Sequence, residues 1–191
     1  QPVEQLSNLR GTPNMSVWRP CDAVETVAAW TAALMRTSGP TAIVLSRQSL
    51  PHQSRSDDQL RDIARGAYIL RDADAPVAVI IATGSEVSLA SEAWERLKTE
   101  GINVRVVSMP SVDAFEAQDA AYREAVLPNG IRERVAVEAA HVDYWRKWVG
   151  LDGAVVGMDS FGLSAPGAVA MASRGFTVDA VVATVKDQLA K

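Results

Sequence analysis

Val77-Ala78-Val79-Ile80-Ile81-Ala82-Thr83-Gly84-Ser85-Glu86 decides the fold. Seven residues rich in Val and Ile read as a buried strand, and Gly84-Ser85 turns the chain into a helix. Val87, Ala90, Trp94 and Leu97 recur at helical spacing, and Gly101 stands just past the helix end. Ile102–Met109 is then a second strand, and strand–helix–strand without a hairpin turn is the pattern of a parallel sheet. Downstream, Ala120–Val126 reads as helix, Arg134–Ala140 as strand and Ala154–Val156 as a short strand. Thr177 caps a last helix with the apolar stripe Val178, Val181, Val182, Val185 and Leu189. Val77–Thr83, Ile102–Met109 and Arg134–Ala140 are therefore expected as neighbouring, mostly parallel strands.

A second unit lies upstream. Val3, Leu6 and Leu9 have helical spacing that Gly11 closes, and Met15–Trp18 is a brief strand candidate. Asp22 and Glu25 have the spacing of a capping box, although with Asp in place of Ser or Thr, and Val24, Val27, Ala28, Thr31, Leu34 and Met35 mark one face of the helix that follows. Gly39-Pro40 stops that helix before the strand Thr41–Ser46. From Arg47 to about Arg65 the chain turns polar. It is expected to be a surface linker with one short helix near Asp57–Ala64, joining two separate sheets.

The 191 residues are 48% hydrophobic and 22% charged, with 19 Lys+Arg against 23 Asp+Glu. That is enough to build a core, and the net charge of -4 argues against a duplex-DNA or anionic-membrane binder. The single cysteine, Cys21, cannot form an internal disulfide and favours a reducing compartment. No uninterrupted apolar run reaches the roughly 18 residues of a membrane span. The opening Gln1-Pro2-Val3-Glu4 has neither an initiator Met nor a leader pattern, and it reads as the tail of a longer chain.

Dinucleotide and nucleotide glycine motifs, the zinc-protease motif and paired cysteines are absent, which weakens a nucleotide-binding reading. Ser85 is expected as an N-cap, although the free N–H groups of that turn could also hold an anion. Glu138, His141 and Asp143 lie close enough in sequence for metal ligands, against the plainer reading of a local hydrogen-bonding group. Gly162-Leu163-Ser164-Ala165-Pro166 nearly matches a hydrolase nucleophile elbow, but Pro166 replaces its second glycine and no His follows Ser164. Trp18, Trp30 and Trp94 fit core faces, while Trp145 and Trp148, beside Tyr144, suit a domain or subunit interface. Arg47 follows the Thr41–Ser46 strand at its carboxyl end, where open α/β sheets take ligands. A guanidinium there suits a phosphate or carboxylate, and it equally suits an ordinary salt bridge.

Trp18-Arg19-Pro20, Ala42–Gln48, Ile81–Glu86, Val107–Pro110, Asp119–Glu124, Val137-Glu138-Ala139 and Ser160–Pro166 together resemble the transketolases, in order and spacing, over the whole length. The resemblance implies an incomplete pyrimidine-binding domain at 1–50, a linker at 51–67, and a complete three-layer α/β C-terminal domain with a mostly parallel sheet at 68–191. It implies a cytoplasmic, homodimeric enzyme. Such an enzyme moves a two-carbon ketol unit between sugar phosphates in the pentose phosphate pathway, using thiamine diphosphate and a magnesium or calcium ion. Of the family's site residues only Arg47 carries over, as the grip on the substrate phosphate. No catalytic, cofactor-binding or metal-binding residue is expected within these 191 positions, and the chain alone is expected to be inactive. The rival reading is a non-catalytic α/β domain used for dimer association or for binding a regulatory ligand.

Overall fold

The structure, a computed structural model, describes residues 2–191. Helix α1 (Gln5–Gly11) leads to strand β1 (Ser16–Trp18), helix α2 (Ala23–Met35) and strand β2 (Thr41–Ile43). The two strands pair in parallel with Val17 opposite Ala42, and α2 is the crossover between them. Asp22 starts α2 from an extended conformation and accepts the backbone N–H of Glu25 at 3.0 Å. The reciprocal half of the expected box is displaced by one residue, because the Glu25 carboxylate takes the N–H of Cys21.

The second unit begins with α3 (Asp57–Asp62), whose Ser56 and Gln59 form a full capping box, and a 3-10 turn at Ile63–Arg65. It continues through β3 (Tyr68–Arg71), β4 (Ala78–Ala82), α4 (Glu86–Thr99), β5 (Val104–Ser108), α5 (Val112–Glu116) and α6 (Ala120–Val126). It closes with β6 (Arg134–His141), α7 (Arg146–Val149), β7 (Ala154–Met158), α8 (Gly167–Ser173) and α9 (Val178–Leu189). The five strands lie in the order β3-β5-β4-β6-β7, all parallel except β3, and β1-β2 form their own sheet.

Alternation along the central strands sorts side chains to two covered faces. Ala78, Ile80 and Ala82 meet Val87, Trp94 and Leu97 of α4 and Val181 and Val185 of α9. Val79 and Ile81 meet Val112, Phe115, Val126 and Trp148 from the helices on the other side. This is a three-layer α/β unit.

One strand was missed and three expectations need correction. The edge strand β3 escapes periodicity because it is only four residues long, and it runs antiparallel to β5. The segment 47–65 is not simply a surface linker, since Gln53 and Ile63 are buried and the Arg55 side chain is 1% exposed. The apolar stripe of α2 faces the core only in part: Val24 and Ala28 pack against it, but Leu34 is 77% and Met35 78% exposed, and Trp30, expected on a core face, is 54% exposed, while Glu25 and Ala29 are buried. Periodicity locates a helix, but it cannot say which side receives a neighbouring layer. Finally, Trp145 and Trp148 both lie in the core, although Trp145 and the half-buried Tyr144 also border a seam, with the Arg10 guanidinium 5.5 and 4.8 Å from their rings.

Gly167–Leu189 has the length and composition of a membrane span. It is two helices, however, broken at Arg174–Thr177, and the second packs Val181 and Val185 against the sheet.

Candidate functional site

In an open parallel sheet, ligands enter where the chain reverses its direction of strand addition. Here that point lies between β4 and β6, because the chain adds β5 on one side of β4 and β6 on the other. The crevice at their carboxyl ends is filled by the protein itself. β1 delivers Arg19, whose N–H donates to the Pro110 carbonyl at 2.7 Å while its own carbonyl accepts from Gly84 N–H at 3.1 Å. Its guanidinium donates to the Thr83 carbonyl at 2.7 Å and to Glu86 at 2.6 Å. Gly84 has φ +58°, and a Cβ there would sit 2.6 Å from the Arg19 Cζ, so the turn needs glycine for both conformation and space.

Glu86 occupies the first turn of α4, where the helix dipole favours an anion, and it also accepts the N–H of Ala139 at 3.0 Å. Beside it Glu138, fully buried, takes a two-pronged bond from Arg10 at 2.7 and 2.8 Å and the indole N–H of Trp145 at 2.8 Å. Burial alone would push the Glu138 carboxyl up, but Arg10, supported by Arg19 and Trp145, holds it below the usual carboxylate range. Burial would likewise lower Arg19, and Glu86 and Glu138 instead raise it. Two arginines and two glutamates thus balance their charges in a sealed seam.

A second seam joins α2 to the larger unit. The Glu25 carboxylate accepts from Tyr68 at 2.8 Å and Ser108 at 2.6 Å, and Arg55 bridges Asp22 at 2.7 Å and the Tyr68 oxygen at 2.7 Å. Desolvation opposes charge on Asp22, yet the bonds from Arg55, Gln53 and Glu25 N–H hold its carboxyl below normal. Cys21 is buried alongside, and desolvation with the nearby Glu25 and Asp22 pushes its thiol well up, so it is a poor nucleophile.

The residues singled out from sequence fall out differently. Ser85 is a correction: it stands at the N-cap position of α4 with helical φ/ψ and caps nothing. Its hydroxyl donates instead to Glu86 at 2.6 Å and accepts from Arg19 at 3.3 Å, since an N-cap needs extended backbone to aim its oxygen at the helix. Glu138 belongs to the arginine seam, while His141 accepts only the N–H of Asp143, at 3.4 Å. Among the described residues no three His, Cys, Asp or Glu side chains gather as metal ligands. Ser164 is exposed in the loop before α8. β2 ends at Ile43, so Arg47 stands four residues beyond it on an exposed bend, rather than directly at a strand end. Among the described residues its guanidinium has no hydrogen-bond or ion-pair partner, unlike Arg10, Arg19 and Arg55.

Sequence reasoning missed Arg10, Arg19, Glu86 and Arg55. For Arg19 a signal was present, since it follows a buried strand directly and precedes Pro20, the kind of placement that drew attention to Arg47. Arg10 and Arg55 carried none, because their partners are 128 and 33 residues away.

Residues 66–177 match the family signature described as the transketolase-like C-terminal domain, and residues 1–53 match the transketolase pyrimidine-binding domain. The chain is 58% identical over 190 residues to transketolase 1 of Escherichia coli strain K12, covering 99% of this chain and 29% of that protein. A transketolase from Pichia stipitis in complex with sedoheptulose-7-phosphate superposes with a TM-score of 0.90 at 36% identity, over 100% of this chain and 28% of that one. A split-gene transketolase, described as an inactive β4 tetramer, superposes with a TM-score of 0.78 at 26% identity, over 100% of this chain and 62% of that one. The chain thus spans under a third of its curated relative's length, and by its two matched domains it belongs to the transketolase family.

Proposed function

We propose that these residues serve a longer enzyme that moves a two-carbon ketol unit between sugar phosphates on thiamine diphosphate, with Arg47 gripping the substrate phosphate. One observation carries the reading: among the described residues Arg47 is an exposed guanidinium without a partner beyond β2, whereas the seam arginines are all neutralised. A sugar phosphate carries close to two negative charges near neutral pH, and a guanidinium can meet two of its oxygens at once. The solved relative that holds sedoheptulose-7-phosphate supports this substrate class.

The residues described here do not fit the family's diphosphate and its magnesium or calcium ion. Asp22, Glu25, Glu86 and Glu138, the buried carboxylates, are each committed to arginine, hydroxyl or N–H donors. No step through the cofactor is assigned to this chain, and we place that chemistry on the remainder of the enzyme. The filled crevice between β4 and β6 makes the five-stranded unit a structural platform. The inactivity named for the split-gene relative supports an inactive isolated chain. The division into an incomplete pyrimidine-binding domain at 1–50, a joining segment at 51–67 and a C-terminal domain at 68–191 belongs to the same proposal, as do the homodimer and the cytoplasm. The exposed stripe of Trp30, Leu34 and Met35 favours a role in association as well, which is the rival reading.

The test is the kinetics of Arg47→Ala in the longer enzyme, with one phosphorylated and one unphosphorylated donor. Loss of a charge-assisted contact worth roughly 1.5–3 kcal/mol lowers kcat/KM about 10- to 150-fold for the phosphorylated donor. Much of the loss falls on KM, since the phosphate is remote from the reacting carbon. Arg47→Lys restores only part, because a point charge replaces a planar fork. The unphosphorylated donor is nearly indifferent to either change. Equal losses for both donors would remove the phosphate-anchor role.

A further inference from the structure

The remaining arginines are not evenly spread. At the amino end of β6, opposite the crevice filled by Arg19, a cavity of about 290 Å³ opens between α5, α6 and α7. Its walls carry Arg123, Arg134 and Lys147, with Phe115 and Trp148 as the apolar part. A contiguous cavity of about 150 Å³ shares Arg134, Lys147 and Trp148 and adds Arg132. This concentration of positive charge stands in a chain whose net charge is -4.

The charges there are poorly compensated. Lys147 pairs with Glu116, and the one wall carboxylate, Glu124, is taken by the backbone and side-chain N–H groups of Asn129. Arg134 donates to four backbone carbonyls, those of Ile131, Trp148, Leu127 and Pro128, at 2.8–3.2 Å. These satisfy its N–H groups but bring no negative charge. Burial and the neighbouring Arg132 accordingly hold its guanidinium below the ordinary arginine range. Arg123 makes one long bond to the Glu116 carbonyl, at 3.4 Å, and among the described residues neither it nor Arg132 or Arg134 has a carboxylate within salt-bridge distance. Trp148, which lines both cavities, also carries a buried indole N–H with no acceptor among the described residues. An unmatched buried donor is uncommon in folded proteins and calls for an explanation.

We propose that this cavity binds a small phosphate-bearing molecule, with Arg123 and Arg132 gripping the phosphate, Arg134 supplying fixed positive charge and Trp148 flanking the less polar part. Forked guanidiniums suit phosphate oxygens, and the volume lies at the small end of ligand pockets, the size of a compact metabolite. Arg47 does not line this cavity, so the inference does not depend on its role.

The probe is inorganic pyrophosphate, with inorganic phosphate in parallel, titrated into the chain at constant low ionic strength while the indole N–H signals of the five tryptophans are followed by NMR. Saturable binding with a Kd below about a millimolar that moves the Trp148 signal is expected. Arg123→Gln and Arg132→Gln each weaken it about tenfold. Both side chains are exposed, so these variants keep the fold, and unchanged signals from Trp18 and Trp94 verify it. A linear response without saturation overturns the site. So does saturable binding that the two variants leave untouched.

Discussion

Residues 2–50 and residues 66–191 follow the same strand–helix–strand grammar and reach opposite ends of completeness. The larger unit covers both faces of its sheet, and Ala78 through Ala82 are 0% exposed. The smaller has two three-residue strands, with Val27, Trp30, Leu34, Met35 and Leu45 facing outward. Its order comes from elsewhere: Cys21, Val3, Val24 and Ala28 pack on the larger unit's core, and two charged seams set Arg10 and Arg19 on Glu138 and Glu86, and Asp22 and Glu25 on Arg55, Tyr68 and Ser108. One half is held by its own core. The other borrows part of its neighbour's core and adds ionic attachment, and such pairs resist being broken one partner at a time.

The largest expected effect breaks a seam. Glu138→Gln leaves Arg10 and Arg19 facing a neutral group in a fully buried place, at a cost of about 3–5 kcal/mol. Calorimetry should show a lower Tm, and protease should cut within 2–50 first. Equal sensitivity across the chain would contradict the seam account.

Next comes a matched pair of leucines. Leu97→Ala removes a fully buried side chain and should cost about 2–5 kcal/mol, whereas Leu34→Ala, at a 77% exposed position, should stay within about 0.5 kcal/mol. Comparable losses in urea unfolding would mean the α2 stripe has a partner.

Acid should separate the two halves. Asp22 and Glu138 both have carboxyl groups held below their ordinary values of 3.8 and 4.5. Their contribution is therefore fully present above those values and is lost as pH falls through the lower folded ones. Hydrogen exchange should show residues 2–50 opening below about pH 4 before the five-stranded sheet does. Simultaneous opening of both would remove the ionic distinction. The smallest effect belongs to the surface: Glu100→Gln, which frees the half-exposed Lys186, should change stability by less than about 0.5 kcal/mol.

What was legible in the sequence follows the same division. β4, α4 and β5 were readable because burial on both faces makes a continuous Val/Ile run, and α4 has one clean stripe. α2 was readable as a helix, but its stripe is covered only at Val24 and Ala28, and periodicity could not tell that Val27, Leu34 and Met35 have no layer over them here. The seams were barely readable: only the placement of Arg19 after a buried strand and the spacing of Asp22 and Glu25 hinted at them. Glu25, Glu86 and Glu138 look like ordinary surface acids until the fold brings arginines and hydroxyls from distant positions against them. Ser85 misled for the same reason, since a local rule assigned its hydroxyl to the helix and Glu86 took it.

The most direct test of the account is calorimetric titration of thiamine diphosphate with magnesium into this 191-residue chain. If the chain contributes the phosphate grip and a structural platform while the cofactor chemistry resides elsewhere, the heats should not exceed those of dilution. Saturable, magnesium-dependent, one-to-one binding would contradict it.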